Sequence, residues 1–151
     1  MVADIQKMVV VPVDGSENVS KTLNYINLFF GPEHALIITL FYVQPRLPAI
    51  LVEESRKSGE TIKQLENLEK RNTEIAERLL AAGIKNVQIT SKVADGSRSA
   101  AADILEEAQR VDAGPIFLGL HGYSSVKEYT MGSVTRKVLN HAADMAVCIV
   151  P

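Results

Sequence analysis

The sequence predicts an α/β fold: a doubly wound five-stranded parallel sheet, order 3-2-1-4-5, with helices on both faces. Three observations lead there. Short apolar runs rich in β-branched residues alternate with longer stretches whose apolar residues recur at helical spacing. The short runs are apolar on both faces, as strands buried in a parallel sheet are. Right-handed crossovers then leave few ways to connect such units.

Each element has its own justification. Met8 to Val13 is a β-branched run that closes on Asp14-Gly15-Ser16, a strand followed by a turn. Pro12 lacks the N–H of a central strand, an objection that weakens at the strand's last turn. From Asn18 to Phe30, Val19, Leu23, Ile26 and Phe30 form a helical stripe, with Ser16 and Asn18 as candidate caps and Gly31-Pro32 as the stop. Ala35 to Val43 is the second strand. Gln44 to Ser58 mixes prolines, charges and the apolar patch Ala49-Ile50-Leu51-Val52, and reads as a long loop. Gly59 to Ala82 carries Ile62, Leu65, Leu68, Ile75 and Leu79 on one stripe and stops at Gly83. Val87 to Val93 is the third strand. Asp95-Gly96-Ser97 caps a helix running to about Val111, with Ala101, Ile104, Leu105 and Ala108 inward. Pro115 to Leu118, Val134 to Ala142 and Ala146 to Val150 complete the series as strand, helix and strand.

With 151 residues the chain suffices for a single domain, 1–151, with a real core. Apolar residues make up 46% and charged ones 23%, the balance of a globular chain and not a disordered one. A net charge of -2 supplies no positive field for nucleic acid or an anionic membrane surface. No apolar run reaches the roughly 18–20 residues of a membrane span. The start, Met1-Val2-Ala3-Asp4-Ile5-Gln6-Lys7, lacks a signal peptide's basic region followed by a long apolar one. Cys148 is alone, so one chain builds neither a disulfide framework nor a Cys-based metal site. A soluble cytoplasmic protein is the expectation.

The chemistry concentrates near the C-terminus. The run Pro115-Ile116-Phe117-Leu118 ends at Gly119-Leu120-His121-Gly122, and after nine intervening residues comes Gly132-Ser133-Val134-Thr135, opening a helix. A helix start attracts anions, because its first N–H groups have no partner and the helix dipole favours negative charge there. Doubly wound sheets bind ligands at strand carboxyl ends, where the winding reverses, here between strands one and four. The turn at Val13-Asp14 and the turn at Gly119 therefore converge on one cleft. The spacing Gly-x2-Gly-x9-Gly-Ser points to a phosphorylated ligand. Ser133 and Thr135 fit plain helix caps as well as phosphate contacts, since both roles use the same N–H groups. Asp14 fits a turn former and a ligand contact about equally. His121 fits a positioning or phosphate contact better than a structural role. His34 and His141 have no spacing that builds a metal site with it. His141 suits the end of its helix, and Cys148 suits an inert core position.

These residues resemble the universal stress protein family. Val9-Val10-Val11-Pro12-Val13-Asp14-Gly15-Ser16 is similar to its opening strand and turn. Gly119-x2-Gly122-x9-Gly132-Ser133 matches the ATP-binding signature of its nucleotide-binding branch without a gap, and Val134-Thr135, the last helix and the last strand continue the match. The resemblance implies the same doubly wound fold, ATP as ligand, with or without Mg2+ carried on its phosphates, and a homodimer. It places Val13 and Asp14, with Pro12 beside them, near adenine and ribose, and Val43 against the adenine. Gly119, His121 and Gly122 would border the ribose and phosphates, and Gly132, Ser133, Val134 and Thr135 would cradle the phosphates. Two segments depart from the pattern. Ala143-Asp144-Met145 replaces the Pro-Cys-Pro often found before the last strand, and the Gln44–Ser58 loop has no counterpart to carry over.

Binding is within reach of this inventory. Micromolar affinity needs about -8 kcal/mol, and three or four charge-assisted hydrogen bonds at about 1.5–3 kcal/mol each, with a buried adenine, suffice. Fast phosphoryl transfer asks for metal clamping and a cation on the developing charge. No Gly-x4-Gly-Lys-Ser/Thr sequence occurs, and Arg136 and Lys137 read as solvated. A receiver-type phosphoacceptor is disfavoured, because Asp14 has no acidic neighbour and Cys148-Ile149-Val150-Pro151 leaves no lysine after the last strand. Three readings stand: an ATP-binding regulatory or stress-response protein with little or no hydrolysis, a nucleotide-independent interaction module, and a slow ATPase or nucleotidyl enzyme. The uncharged last strand, Ala146-Val147-Cys148-Ile149-Val150, would form a sheet edge of the kind that invites pairing, so a homodimer through it is expected.

Overall fold

The computed structural model describes residues 7–13, 19–30, 36–44, 60–81, 86–93, 98–120 and 131–151. In chain order these form β1 (Lys7–Pro12), α1 (Val19–Phe30), β2 (Leu36–Gln44), α2 (Glu60–Ala81), β3 (Asn86–Val93), α3 (Ala100–Arg110), β4 (Pro115–Gly119), α4 (Ser133–His141) and β5 (Ala146–Val150). The strands make one sheet in the order β3-β2-β1-β4-β5, every neighbouring pair parallel. The expected fold class and strand order are both found. The expected caps Ser16 and Asn18, residues 45–58 of the expected Gln44–Ser58 loop and the Asp95-Gly96-Ser97 turn lie outside the described residues, while Gln44 itself is the last residue of β2.

Two cores, one on each face of the sheet, explain why β1, β2 and β4 are apolar on both faces. Val9, Val11 and Val13 of the β1 segment and Leu36, Ile38 and Leu40 of β2 pack against Leu23 and Ile26 of α1 and Leu79 of α2. The alternate residues Val10 and Phe41 pack with Ile116 and Leu118 of β4 against Ala101, Ile104 and Ala108 of α3 and Val138 of α4. Period-two alternation sends each strand's side chains to opposite faces, and here both faces are roofed by helices. The helical stripes expected in α1 and α3 face the cores, with Leu23, Ile26, Ala101, Ile104 and Ala108 buried and Val19, Phe30 and Leu105 half-buried. Periodicity did not foretell the acidic residues Asp103 and Glu107, which are buried on α3 among its apolar ones.

Partners account for those two carboxylates. Glu107 accepts from Arg110 at 2.9 and 2.6 Å and from the Thr90 hydroxyl of β3 at 3.4 Å, so α3 is tied to the sheet by a polar contact. The Arg110–Glu107 hydrogen bonds, and then the charge of Glu107, raise the Arg110 guanidinium pKa above its ordinary value. Asp103 faces Arg98 Nε at 3.7 Å.

Local chemistry sets the ends of α3. Its cap is Ser99, whose Oγ accepts from the Ala102 N–H at 3.3 Å, two residues beyond the Ser97 that the sequence suggested. Such a cap contributes about 1 kcal/mol. At the other end the Ala113 N–H donates to Ala108 O and the Asp112 N–H to Gln109 O, with Asp112 at φ 49°. This is the paired-bond termination that glycine normally serves, carried by an aspartate that tolerates the left-handed region. Asp144, at φ 57°, makes the same excursion in the turn before β5, where the sequence departs from its resembled pattern.

Candidate functional site

The connection from β1 leads outward to β2, while β4 is reached by a crossover from β3 to the other side of β1. Chains leave β1 and β4 in opposite directions, so the winding reverses between their carboxyl ends, the place where doubly wound sheets bind ligands. Pro12 sits at that fork. It pairs with Phe41 of β2, whereas the β1–β4 register falls at Val10 and Ile116, before the proline. The next residue, Val13, donates its N–H to Phe41 O at 2.8 Å. Successive residues of a parallel strand address alternate sides, so a donor at position 12 would have faced β4. Proline removes it, so the β1–β4 ladder stops before the last residue of β1 while the β1–β2 ladder continues through it.

On the β4 side, the chain is fastened by three bonds. Leu120 N–H donates to Val150 O at 2.7 Å, extending the β4–β5 ladder, and Gly132 N–H donates to Leu120 O at 2.9 Å. The Thr135 hydroxyl donates to Gly119 O at 2.9 Å. The first turn of α4 is thereby held against the exit of β4. Thr135 is buried, at 5% exposure, and its one hydroxyl proton is spent on that carbonyl.

The N-terminus of α4 is open in the chemical sense. Its cap residue is Gly132, at φ -57° and ψ 148°, with no side-chain capping bond. The first bond of the helix runs from Arg136 N–H to Gly132 O at 3.0 Å. The N–H groups of Ser133, Val134 and Thr135 make no hydrogen bond among the described residues. Ser133 is the first helical residue and exposed, so it does not cap its own helix. Three parallel donors at the positive end of a helix dipole suit an anion such as a phosphate.

The other expected contacts divide by face. Val43 packs on the α3/α4 side of the sheet, and Pro12, in phase with Val10, shares that side. Val13 is buried on the α1/α2 side. Pro12 and Val43 are half-buried. Asp14, His121 and Gly122 lie outside the described residues. Arg136 and Lys137 are exposed. His141 Nδ1 meets Lys137 O at 2.8 Å in the last turn of α4, at the helix end the sequence suggested. Among the described residues no group of three His, Cys, Asp or Glu side chains is placed to hold a metal ion, and no helix is long and apolar enough to cross a membrane. Sequence reasoning missed Leu120, whose backbone links β5 to the start of α4. No side-chain pattern signals such a role, because only main-chain atoms carry it.

Comparison with known proteins agrees with this fold. The family model described as "Universal stress protein family" matches residues 7–150. No curated protein matches the sequence. Among solved structures, the universal stress protein UspA from Lactobacillus plantarum superimposes with a TM-score of 0.72 at 19% identity, over 96% of this chain and 97% of that chain. A universal stress protein family protein from Arabidopsis thaliana with AMP bound gives 0.65 at 14% identity, over 95% and 90% of the two chains. The universal stress protein from Archaeoglobus fulgidus in complex with dAMP gives 0.56 at 18% identity, over 97% and 99%. These identities speak for the fold. The family match spans all five strands and the opened helix at the exit of β4, and by it the chain belongs to the universal stress protein family.

Proposed function

We propose that the protein binds an adenine nucleotide, ATP with or without Mg2+, between the carboxyl ends of β1 and β4, and acts as a dimeric stress-response or regulatory protein of the cytoplasm. The observation that carries this reading is the glycine-capped start of α4, which leaves the N–H groups of residues 133–135 without partners among the described residues. The complexes of family members with AMP and dAMP support it. The phosphates lie on those amides, and Ser133 adds an exposed hydroxyl. The base lies toward Pro12 and Val43, on the sheet face that α4 shares. Val13, turned to the opposite face, offers the ligand main-chain atoms only. Asp14, Gly119, His121 and Gly122 complete the ring of contacts around ribose and phosphates. Any Mg2+ travels with the phosphates.

Hydrolysis is slow or absent in this reading. Main-chain amides that hold the phosphates of bound ATP bind ground state and transition state alike, which lowers Kd without accelerating chemistry. The expected result is ATP, or another adenine nucleotide, released when the purified protein is denatured, and saturable ATP binding by calorimetry. Failure of the folded protein to bind ATP, ADP or AMP would reject the reading.

Assembly has its own support. Among the described residues β5 is an edge strand with β4 as its one neighbouring strand, its residues 146–150 carry no charge, and Val147, Cys148 and Ile149 stay half-buried. A second copy pairing along β5 removes that edge. Sedimentation at micromolar concentration is expected to give a dimer, and Val147→Lys a monomer; a monomeric wild type would remove this part of the proposal.

A further inference from the structure

We infer that Thr135 is a positioning residue for the phosphate end of the site and touches no phosphate with its hydroxyl. The inference rests on the nucleotide-binding reading above and deepens it. A hydroxyl has one proton to donate. That of Thr135 goes to Gly119 O at 2.9 Å, and the side chain is 5% exposed. Its resemblance-based role as part of the cradle therefore falls to its backbone N–H. The hydroxyl does different work.

Two consecutive carbonyls at the exit of β4, those of Gly119 and Leu120, receive the Thr135 hydroxyl and the Gly132 N–H. One bond holds the cap residue and the other holds the third residue of the helix. A single bond would leave α4 free to pivot about it; two, separated by most of a turn, fix both the position and the direction of the helix axis. Direction matters because the three open N–H groups run along that axis, and a hydrogen bond weakens steeply as its angle falls away from linear. The Thr135 bond thus aims the donors. Its effect reaches the phosphates and not the adenine side, which is built from β1 and β2.

Calorimetric titration of ATP and of adenosine into wild type, Thr135→Val and Thr135→Ser tests this. Thr135→Val is expected to weaken ATP binding about tenfold, the loss of roughly one well-formed hydrogen bond, while adenosine affinity stays within about twofold of wild type. Thr135→Ser, which keeps the hydroxyl, is expected to restore the ATP-to-adenosine preference. An unchanged preference in a folded Thr135→Val would overturn the inference. So would equal losses for ATP and adenosine, and so would failure of Thr135→Val to fold, because either makes Thr135 a general core residue. A wild type that binds no ATP is a separate outcome: it sinks the nucleotide-binding reading and this inference with it.

Discussion

Gly132→Asp is expected to abolish ATP binding while leaving the fold at least as stable as wild type. Gly132 stands at φ -57° and ψ 148°, a conformation open to any L-residue, so no backbone strain opposes the change. An aspartate at a helix cap accepts hydrogen bonds from the second and third helical N–H groups, here those of Val134 and Thr135. It also places a negative charge at the positive end of the α4 dipole. Relative to glycine those effects add a few tenths of a kcal/mol of stability, up to about 1. The same carboxylate occupies the donors proposed for the phosphates and repels them. A loss of at least about 100-fold in ATP affinity, near 2.7 kcal/mol, is the expected cost. Titration calorimetry reads the affinity and thermal unfolding reads the stability. Binding and stability must move in opposite directions, a pattern that ordinary structural damage does not produce. An ATP affinity equal to wild type would show that phosphates do not use the start of α4.

The largest effect on stability is expected from Phe41→Ala. Among the described residues Phe41 is the bulkiest of the fully buried side chains, 2% exposed, and packs on the α3/α4 face with Val10 and Ile116. Its removal loses transfer free energy and leaves a cavity that two parallel strands and a helical roof do not close. About 3–5 kcal/mol is expected, a large share of the roughly 5–15 kcal/mol that holds a domain together. The midpoint of thermal unfolding should fall by about 10 °C. Urea unfolding is the primary measurement. Leu28→Ala makes the natural control, because Leu28 is 78% exposed on α1 and its truncation should change stability by no more than about 0.5 kcal/mol. Comparable losses in the two variants would contradict the two-faced core.

The contrast between Phe41 and Leu28 shows how far sequence reading went. Both are large apolar residues in regular elements. Strand residues such as Phe41 declared themselves through a run with no polar face, because a sheet roofed on both sides buries both faces of its inner strands. On α1 the stripe Val19, Leu23, Ile26 and Phe30 declared the inward face, and Tyr25, Leu28 and Phe29 fall outside it; these three are exposed, with Tyr25 and Phe29 stacked at 6.3 Å. The placement of caps was less legible. Ser97 and Ser99 are equally good caps by composition, and Ser99 caps α3 because the helix begins at Ala100. Val13 and Val43 were grouped by proximity to a strand end, but register and alternation put their side chains on opposite faces.

What the sequence by itself determined is the order of elements, the parallel doubly wound sheet and the point, between β1 and β4, where its winding reverses. Those follow from periodicity, chirality and connection length, which are local or nearly so. The tertiary structure decided what each group at that place is free to do. Ser133 and Thr135 are both hydroxyl residues beside a glycine, indistinguishable in role from composition. Contact with Gly119 O engages one, and exposure leaves the other available. Leu120 carries the link from β5 to α4 through its backbone alone. Hydrogen-bond partners distant in sequence decide such matters, and they exist only once the sheet has assembled.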